Sequence, residues 1–256
     1  MQRYKAILQY DGTNFSGFQL QAPQLRTIQG VIEKGLQKMS KGPRIIVYGA
    51  SRTDAGVHAL GQVIHFDYPT YLAPEKMRLA LNSLMPLDVE IKEVQAVSND
   101  FHARYAAHEK TYWYRVDRGK FVNPFKRFYT THYPYPIDFS RIEIALKDVL
   151  GTHDFSSFAA SGNQVKNPVR TITQAQANLD NQNQELSFYF TGDGFLYNQV
   201  RIMVAVLLEI GSKKRDLHDF LRLYQVKDRT QARWTAPASG LYLMKVHYLK
   251  KAAKSD

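Results

Sequence analysis

The feature that most constrains this chain is a switch of hydrophobic period that runs in the same order twice. Residues 4–10 mix Tyr, Ile and Leu as a strand does and stop at the turn pair Asp11-Gly12. Ile28, Val31, Ile32, Leu36 and Met39 then fall on one helical stripe, ended by Gly42-Pro43. Short strands are predicted over 44–48 and 62–67. A second helix is predicted from Pro74, with Met77, Ala80, Leu81 and Leu84 on one face and Pro86 as its stop, and a strand over 89–97. The second half repeats the order without repeating the residues. A strand over 110–118 precedes a helix carrying Ile142, Ala145, Leu146 and Val149, with Ser140 and Glu143 spaced as a capping box. Strands over 169–179 and 185–191 flank the polar turn Asp180-Asn181-Gln182-Asn183, and a largely buried helix over 196–210 stops at Gly211. An extra helix with Leu217, Phe220, Leu221 and Tyr224 precedes the last strand, 241–249. Strand, helix, strand, strand, helix, strand is the split βαβ arrangement. The expectation is an α+β protein of two ferredoxin-like (βαββαβ) halves with antiparallel sheets, residues 1–103 and 104–256. The cleft between them is the default place for a ligand.

Composition narrows the partner. A chain of 256 residues that is 44% hydrophobic can bury one sizeable core or two smaller ones. Lys and Arg total 34 against 23 Asp and Glu, a net charge of +11, and the chain carries 14 Phe and 16 Tyr. That combination suits a polyanion with stackable bases, so nucleic acid leads as the partner class. The absence of cysteine excludes disulfide and thiolate chemistry. Eight histidines without a His-Glu-x-x-His pattern give no metal site, and there is no phosphate loop or dinucleotide fingerprint, which leaves Gly12 and Gly17 as turn residues. The opening residues Met1-Gln2-Arg3-Tyr4 lack an apolar signal region, and the longest apolar run, 202–208, is far short of the ~20 residues that span a bilayer. The expected location is the cytoplasm, with no membrane contact.

Chemistry concentrates in residues 50–62, a polar loop between two predicted strands. Arg52 stands beside the carboxylate of Asp54, and Gly56 eases the turn. By spacing alone this reads as a capped turn with a solvated arginine. The run Arg52-Thr53-Asp54-Ala55-Gly56-Val57-His58-Ala59, followed by Gly61-Gln62, resembles the catalytic loop of the tRNA pseudouridine synthase A family, with Ser51 where Gly is usual before the Arg. The resemblance covers nearly the whole chain. Tyr10-Asp11-Gly12 through Gly17-Phe18-Gln19 is similar to the first family motif, with Phe18 in place of Trp. Phe101-His102-Ala103-Arg104 and Lys110-Thr111-Tyr112-Trp113-Tyr114 resemble the interdomain passage and the Tyr-x-Tyr strand. Gly151-Thr152-His153-Asp154-Phe155, Asn198-Gln199-Val200-Arg201 and Ala236-Pro237-Ala238-Ser239-Gly240-Leu241 are similar to later motifs.

The resemblance implies an isomerase that converts uridine to pseudouridine in the tRNA anticodon stem-loop, works as a homodimer and needs neither cofactor nor metal. It implies Asp54 as the nucleophile, Arg201 as the cation that pairs with it, and Tyr112 as the surface on which the extruded base stacks, with a phenol able to relay a proton. Arg52, Lys110, Arg104, His58 and Gln62 join Tyr112 as the implied RNA-binding set. Read from the residues alone, Arg201 is equally a snorkelling side chain at a helix end, Tyr114 a core aromatic, and His58 and His65 hydrogen-bonding groups within the fold. Lys213-Lys214-Arg215 and Lys126-Arg127 read as solvated charge, and as phosphate contacts once tRNA is the substrate. The rival readings are a catalytically silent RNA-binding or RNA-chaperone protein of the same fold, a paralogue that modifies other uridines, and a nuclease or hydrolase using Asp54 with His58.

Overall fold

The computed structural model describes residues 1–160 and 167–249. Two compact units are present, one of Met1–Glu109 with the chain from Leu243 onward, the other of Lys110–Tyr242. The first holds β1 (Gln2–Tyr10), α1 (Ile28–Ser40), β2 (Tyr48–Gly49), β3 (His58–Tyr68), α2 (Pro74–Asn82) and β4 (Val89–Val97). The second contains most of β5 (Ala107–Asp117), then β6 (Thr131–His132), α3 (Phe139–Val149), β7 (Gly151–Asp154), β8 (Val169–Asp180), β9 (Glu185–Gly192), α4 (Gln199–Gly211) and α5 (Asp219–Val226). Most of β10 (Leu241–Tyr248) returns to the first unit.

In the first unit β1 is the central strand, antiparallel to β4 on one side and to β3 on the other. β2 pairs antiparallel with β3, next to which β10 also lies. Alternation sends Tyr4, Ala6, Leu8 and Tyr10 of β1 into the core with Ile28, Ile32 and Leu36 of α1 and Met77 and Leu81 of α2. The β1–β3 register shifts between Leu8 and Tyr10, at the end of the pair from which the 50–57 loop departs. In the second unit β5, β9, β8 and β7 pair antiparallel in that order, and β6 lies parallel to β5. Every residue of α4 except Arg201 is buried, and most of them are apolar, with Glu209 near the other end of the helix ion-paired to Arg215.

The predicted elements appear in the expected order and type, but the second unit adds the short strands β6 and β7, which the sequence reading did not contain. The other departures have local causes. Residues 44–47 are not a strand. The buried side chains of Gln29 and Glu33 on α1 take the backbone groups of Val47, with Glu33 Oε1 accepting its N–H at 2.9 Å and Gln29 Nε2 donating to its carbonyl at 3.2 Å. Side chains thus replace a ladder there. The proposed capping box at Ser140 fails because α3 starts at Phe139. Ser140 lies inside the helix, and its hydroxyl donates to Asp138 Oδ1 at 2.7 Å. The helix predicted from residue 196 begins at Gln199, after Asn198 in the left-handed region at φ 61°. Leu217 precedes α5 rather than belonging to it. Arg215 is not solvated charge. Its guanidinium is buried between Glu209 and Asp219 and donates to the Gln231 carbonyl at 2.9 Å.

Candidate active site

The Asp54 loop is held by the glycine-rich segment after β1. The Phe18 N–H donates to the Thr53 carbonyl at 3.0 Å, and the Gly56 N–H to the Phe15 carbonyl at 3.3 Å. Gly17 has φ +96°, and a Cβ there would stand 2.8 Å from the Thr53 oxygen; one on Gly12 would stand 2.0 Å from the Val57 oxygen. Two backbones touch where no side chain fits, so the segment after β1 and the Asp54 loop are locked together. The turn itself closes with Val57 N–H to Asp54 O at 3.2 Å, and Gly56 adopts φ 77°, as its place in the turn predicts. Ser51 is not among the residues with positive φ, so the serine fits without backbone strain.

Side chains complete the clamp. Tyr10 Oη and Thr53 Oγ1 hydrogen-bond at 2.8 Å. Gln62, fully buried, grips both backbone groups of Ser51, donating to its carbonyl at 2.8 Å and accepting its N–H at 3.2 Å. His58, also buried, accepts the Gly12 N–H on Nδ1 at 3.1 Å, with Asp11 Oδ1 3.2 Å from the same nitrogen. Arg52 and Ala55 are exposed and Asp54 half-buried. The loop therefore offers one carboxylate and one guanidinium from a rigid turn, while His58 and Gln62 sit beneath it as supports. His65 likewise serves the fold. Its Nδ1 accepts the Ala103 N–H at 3.1 Å, and burial, with His102 and Arg3 nearby, lowers its pKa to about 4. Arg104 follows on that passage, exposed.

In the second unit Tyr112 and Tyr114 share one face of β5. Tyr112 is almost wholly buried, with the Phe195 ring edge-on at 5.0 Å between centroids. Tyr114 is a core residue whose hydroxyl bonds Thr131 and donates to the Pro237 carbonyl at 2.7 Å, and burial pushes its phenol pKa upward. Arg201, in the first turn of α4, donates from Nη1 to Asn198 Oδ1 at 2.6 Å and from Nε to the Ala236 carbonyl at 2.7 Å. The Ala236 N–H returns a bond to the Arg201 carbonyl at 3.3 Å. An arginine at a helix N-terminus opposes the helix dipole, and these two oxygens offset the cost. Lys110 begins the Tyr-x-Tyr stretch, half-exposed. Tyr10, Asn198 and the Ala236 carbonyl are supports that were not assigned from sequence. The signal for Asn198 was present, since Asn tolerates the left-handed conformation just before a helix.

The motifs that interlock in this way are those of one class of protein. The profile described as tRNA pseudouridine synthase matches residues 6–106 and 145–249. The chain belongs to the tRNA pseudouridine synthase family, a family of isomerases. It is 61% identical over 247 residues to the tRNA pseudouridine synthase A of Latilactobacillus sakei subsp. sakei (strain 23K), covering 96% of this chain and 99% of that one. It is also 61% identical over 248 residues to the protein of the same name from Ligilactobacillus salivarius (strain UCC118), covering 96% of each. The protein so named from Lacticaseibacillus casei (strain BL23) is 60% identical over 248 residues, with 97% of this chain and all of that one covered.

Proposed function

We propose that this protein isomerises uridines to pseudouridine in the anticodon stem-loop of tRNA, with Asp54 as nucleophile, acting as a cytoplasmic homodimer of subunits with two ferredoxin-like halves. The observation that carries the reading is the clamp that fixes Asp54 and Arg52 on one rigid turn, in a chain of this family. The reaction breaks the bond between ribose C1′ and uracil N1, turns the base and joins C1′ to C5. The C5 proton leaves and N1 gains one, so no oxidant, reductant or external group enters. A carboxylate can carry the reaction by adding covalently to the nucleoside, at the ribose or at the base, and leaving when the new bond has formed.

Each residue then has a task. Arg201 is the cation that the family resemblance implies, and Asp54 must be charged to attack. Tyr112 receives the base after extrusion, Arg52 helps hold it out or binds phosphate, and Lys110 and Arg104 contact the backbone. His58 and Gln62 act through the loop they support. The test is to map pseudouridine in unmodified tRNA transcripts after incubation with wild type and Asp54→Asn. Conversion in the anticodon arm by wild type alone is expected. Tight tRNA binding without conversion by either protein would favour the silent binding reading.

A further inference from the structure

The stretch from Arg118 to Ile137 contains four Lys and Arg residues and no carboxylate, among a dense run of aromatics. It lies within the second unit, outside the proposed catalytic set. Phe125 is 90% exposed and Phe121 78%, with Phe128 partly exposed. Exposed Phe rings of this degree, clustered on one loop, are what a binding surface presents. Cations sit on these rings, with Arg127 4.0 Å above Phe128 and Lys120 5.6 Å from Phe121.

The loop beneath is pre-organised. Asp117 Oδ1 accepts the Gly119 N–H at 3.2 Å, His132 Nε2 contacts the Gly119 carbonyl at 2.8 Å, and the Arg118 N–H donates to Gln184 at 2.8 Å. Asn123 Oδ1 accepts the Phe125 N–H at 2.9 Å, and Lys126 Nζ reaches the Asn183 carbonyl at 2.8 Å. The rings are therefore offered from a fixed backbone, and little ordering remains to be done on binding.

We infer that the 120–128 loop, through Phe121, Phe125 and Phe128 with Lys120 and Arg127, is a stacking platform for unpaired RNA outside the catalytic site. Two features select that occupant. The flat rings accept any base face, and the interleaved cations meet the phosphates between bases, which is how proteins hold single strands without reading sequence. Charge complementarity favours a polyanion over a second copy of this basic chain, since Lys120 and Arg127 are exposed and the segment holds no carboxylate. The inference deepens the tRNA reading by adding a second contact for the same substrate.

The test measures binding of a single-stranded RNA dodecamer and of a duplex of the same composition to wild type, Phe125→Ala, Phe121→Ala, Phe125→Trp and Arg127→Gln. The assay does not depend on turnover. Each alanine variant is expected to weaken single-strand binding about tenfold. Phe125→Trp should retain wild-type affinity. Arg127→Gln should reduce the slope of log affinity against log salt by about one. Both Phe side chains are exposed, so thermal midpoints should match wild type. Unchanged affinity in the alanine variants would overturn the platform, as would a fall in sedimentation mass with RNA binding intact, which would assign the loop to an interface between copies. Pseudouridine formation by wild type, scored separately, keeps the catalytic reading distinct from this one.

Discussion

The Asp54 loop and the Arg201 helix start solve the same problem, holding a charged side chain in place, by opposite means. The loop is fixed first by backbone against backbone, with Gly12 and Gly17 admitting contacts that no Cβ tolerates, and the Tyr10, Gln62 and His58 side chains only complete that clamp. Arg201 is fixed by side-chain hydrogen bonds to Asn198 and the Ala236 carbonyl, on a helix otherwise wholly buried. A backbone clamp is rigid and unforgiving of substitution. A side-chain clamp can be altered while the fold survives, so the two regions should respond differently to mutation.

The largest effect is expected at Gly12. A Cβ there would lie 2.0 Å from the Val57 oxygen and 2.5 Å from its carbonyl carbon, so Gly12→Ala must move one of the two motifs. It should cost more than about 3 kcal/mol and abolish turnover, read by chemical denaturation and by pseudouridine yield. A well-folded, active variant would break the comparison. Asn198→Gly probes the other clamp. Glycine accepts φ 61° readily, so stability should hold within about 1 kcal/mol, while loss of the Arg201 contact lowers kcat by tenfold or more.

A pH effect comes next. His65 has its pKa lowered to about 4 in the folded state, against an ordinary value of about 6.5. The unfolded chain therefore binds more protons in that interval, and stability rises with pH across it. The contribution is present above about pH 6.5 and is lost as pH falls towards 4, by an amount on the order of 2 kcal/mol. His65→Gln should flatten this limb of the stability profile. The smallest effect is expected from Ser51→Gly, since Ser51 does not use positive φ. The glycine should lower stability by about 0.5 kcal/mol through the unfolded chain and leave turnover intact.

What the sequence disclosed follows the same division. Element order was legible because periods of two and 3.6 residues alternate clearly, as in the four buried positions of α3, Ile142, Ala145, Leu146 and Val149. The Asp54 turn was legible from Gly56, which takes φ 77° there, and its functional reading came from the family resemblance. The clamp that Gly12 and Gly17 permit was not foreseen, since the sequence reads them only as turn residues. Hidden were contacts made by particular polar side chains, whether near or far in the chain. Glu33 and Gln29 capturing Val47 turned a predicted strand into a loop, and Asp219 with Glu209 drew Arg215 out of a basic run into the interior. Neither has a local period. The Ala236 carbonyl that holds Arg201 belongs to a motif visible in the sequence, yet its partner stands 35 residues away.

The most direct test of the account follows release of tritium from tRNA carrying uridine labelled at C5, by wild type, Asp54→Asn and Asn198→Gly, with tRNA affinity measured alongside. Joining C1′ to C5 must expel that hydrogen, so release reports the reaction itself. The account predicts release by wild type, none by Asp54→Asn despite retained binding, and slowed release by Asn198→Gly. Undiminished release by Asp54→Asn would contradict it, because the clamped loop would then be holding something other than the nucleophile.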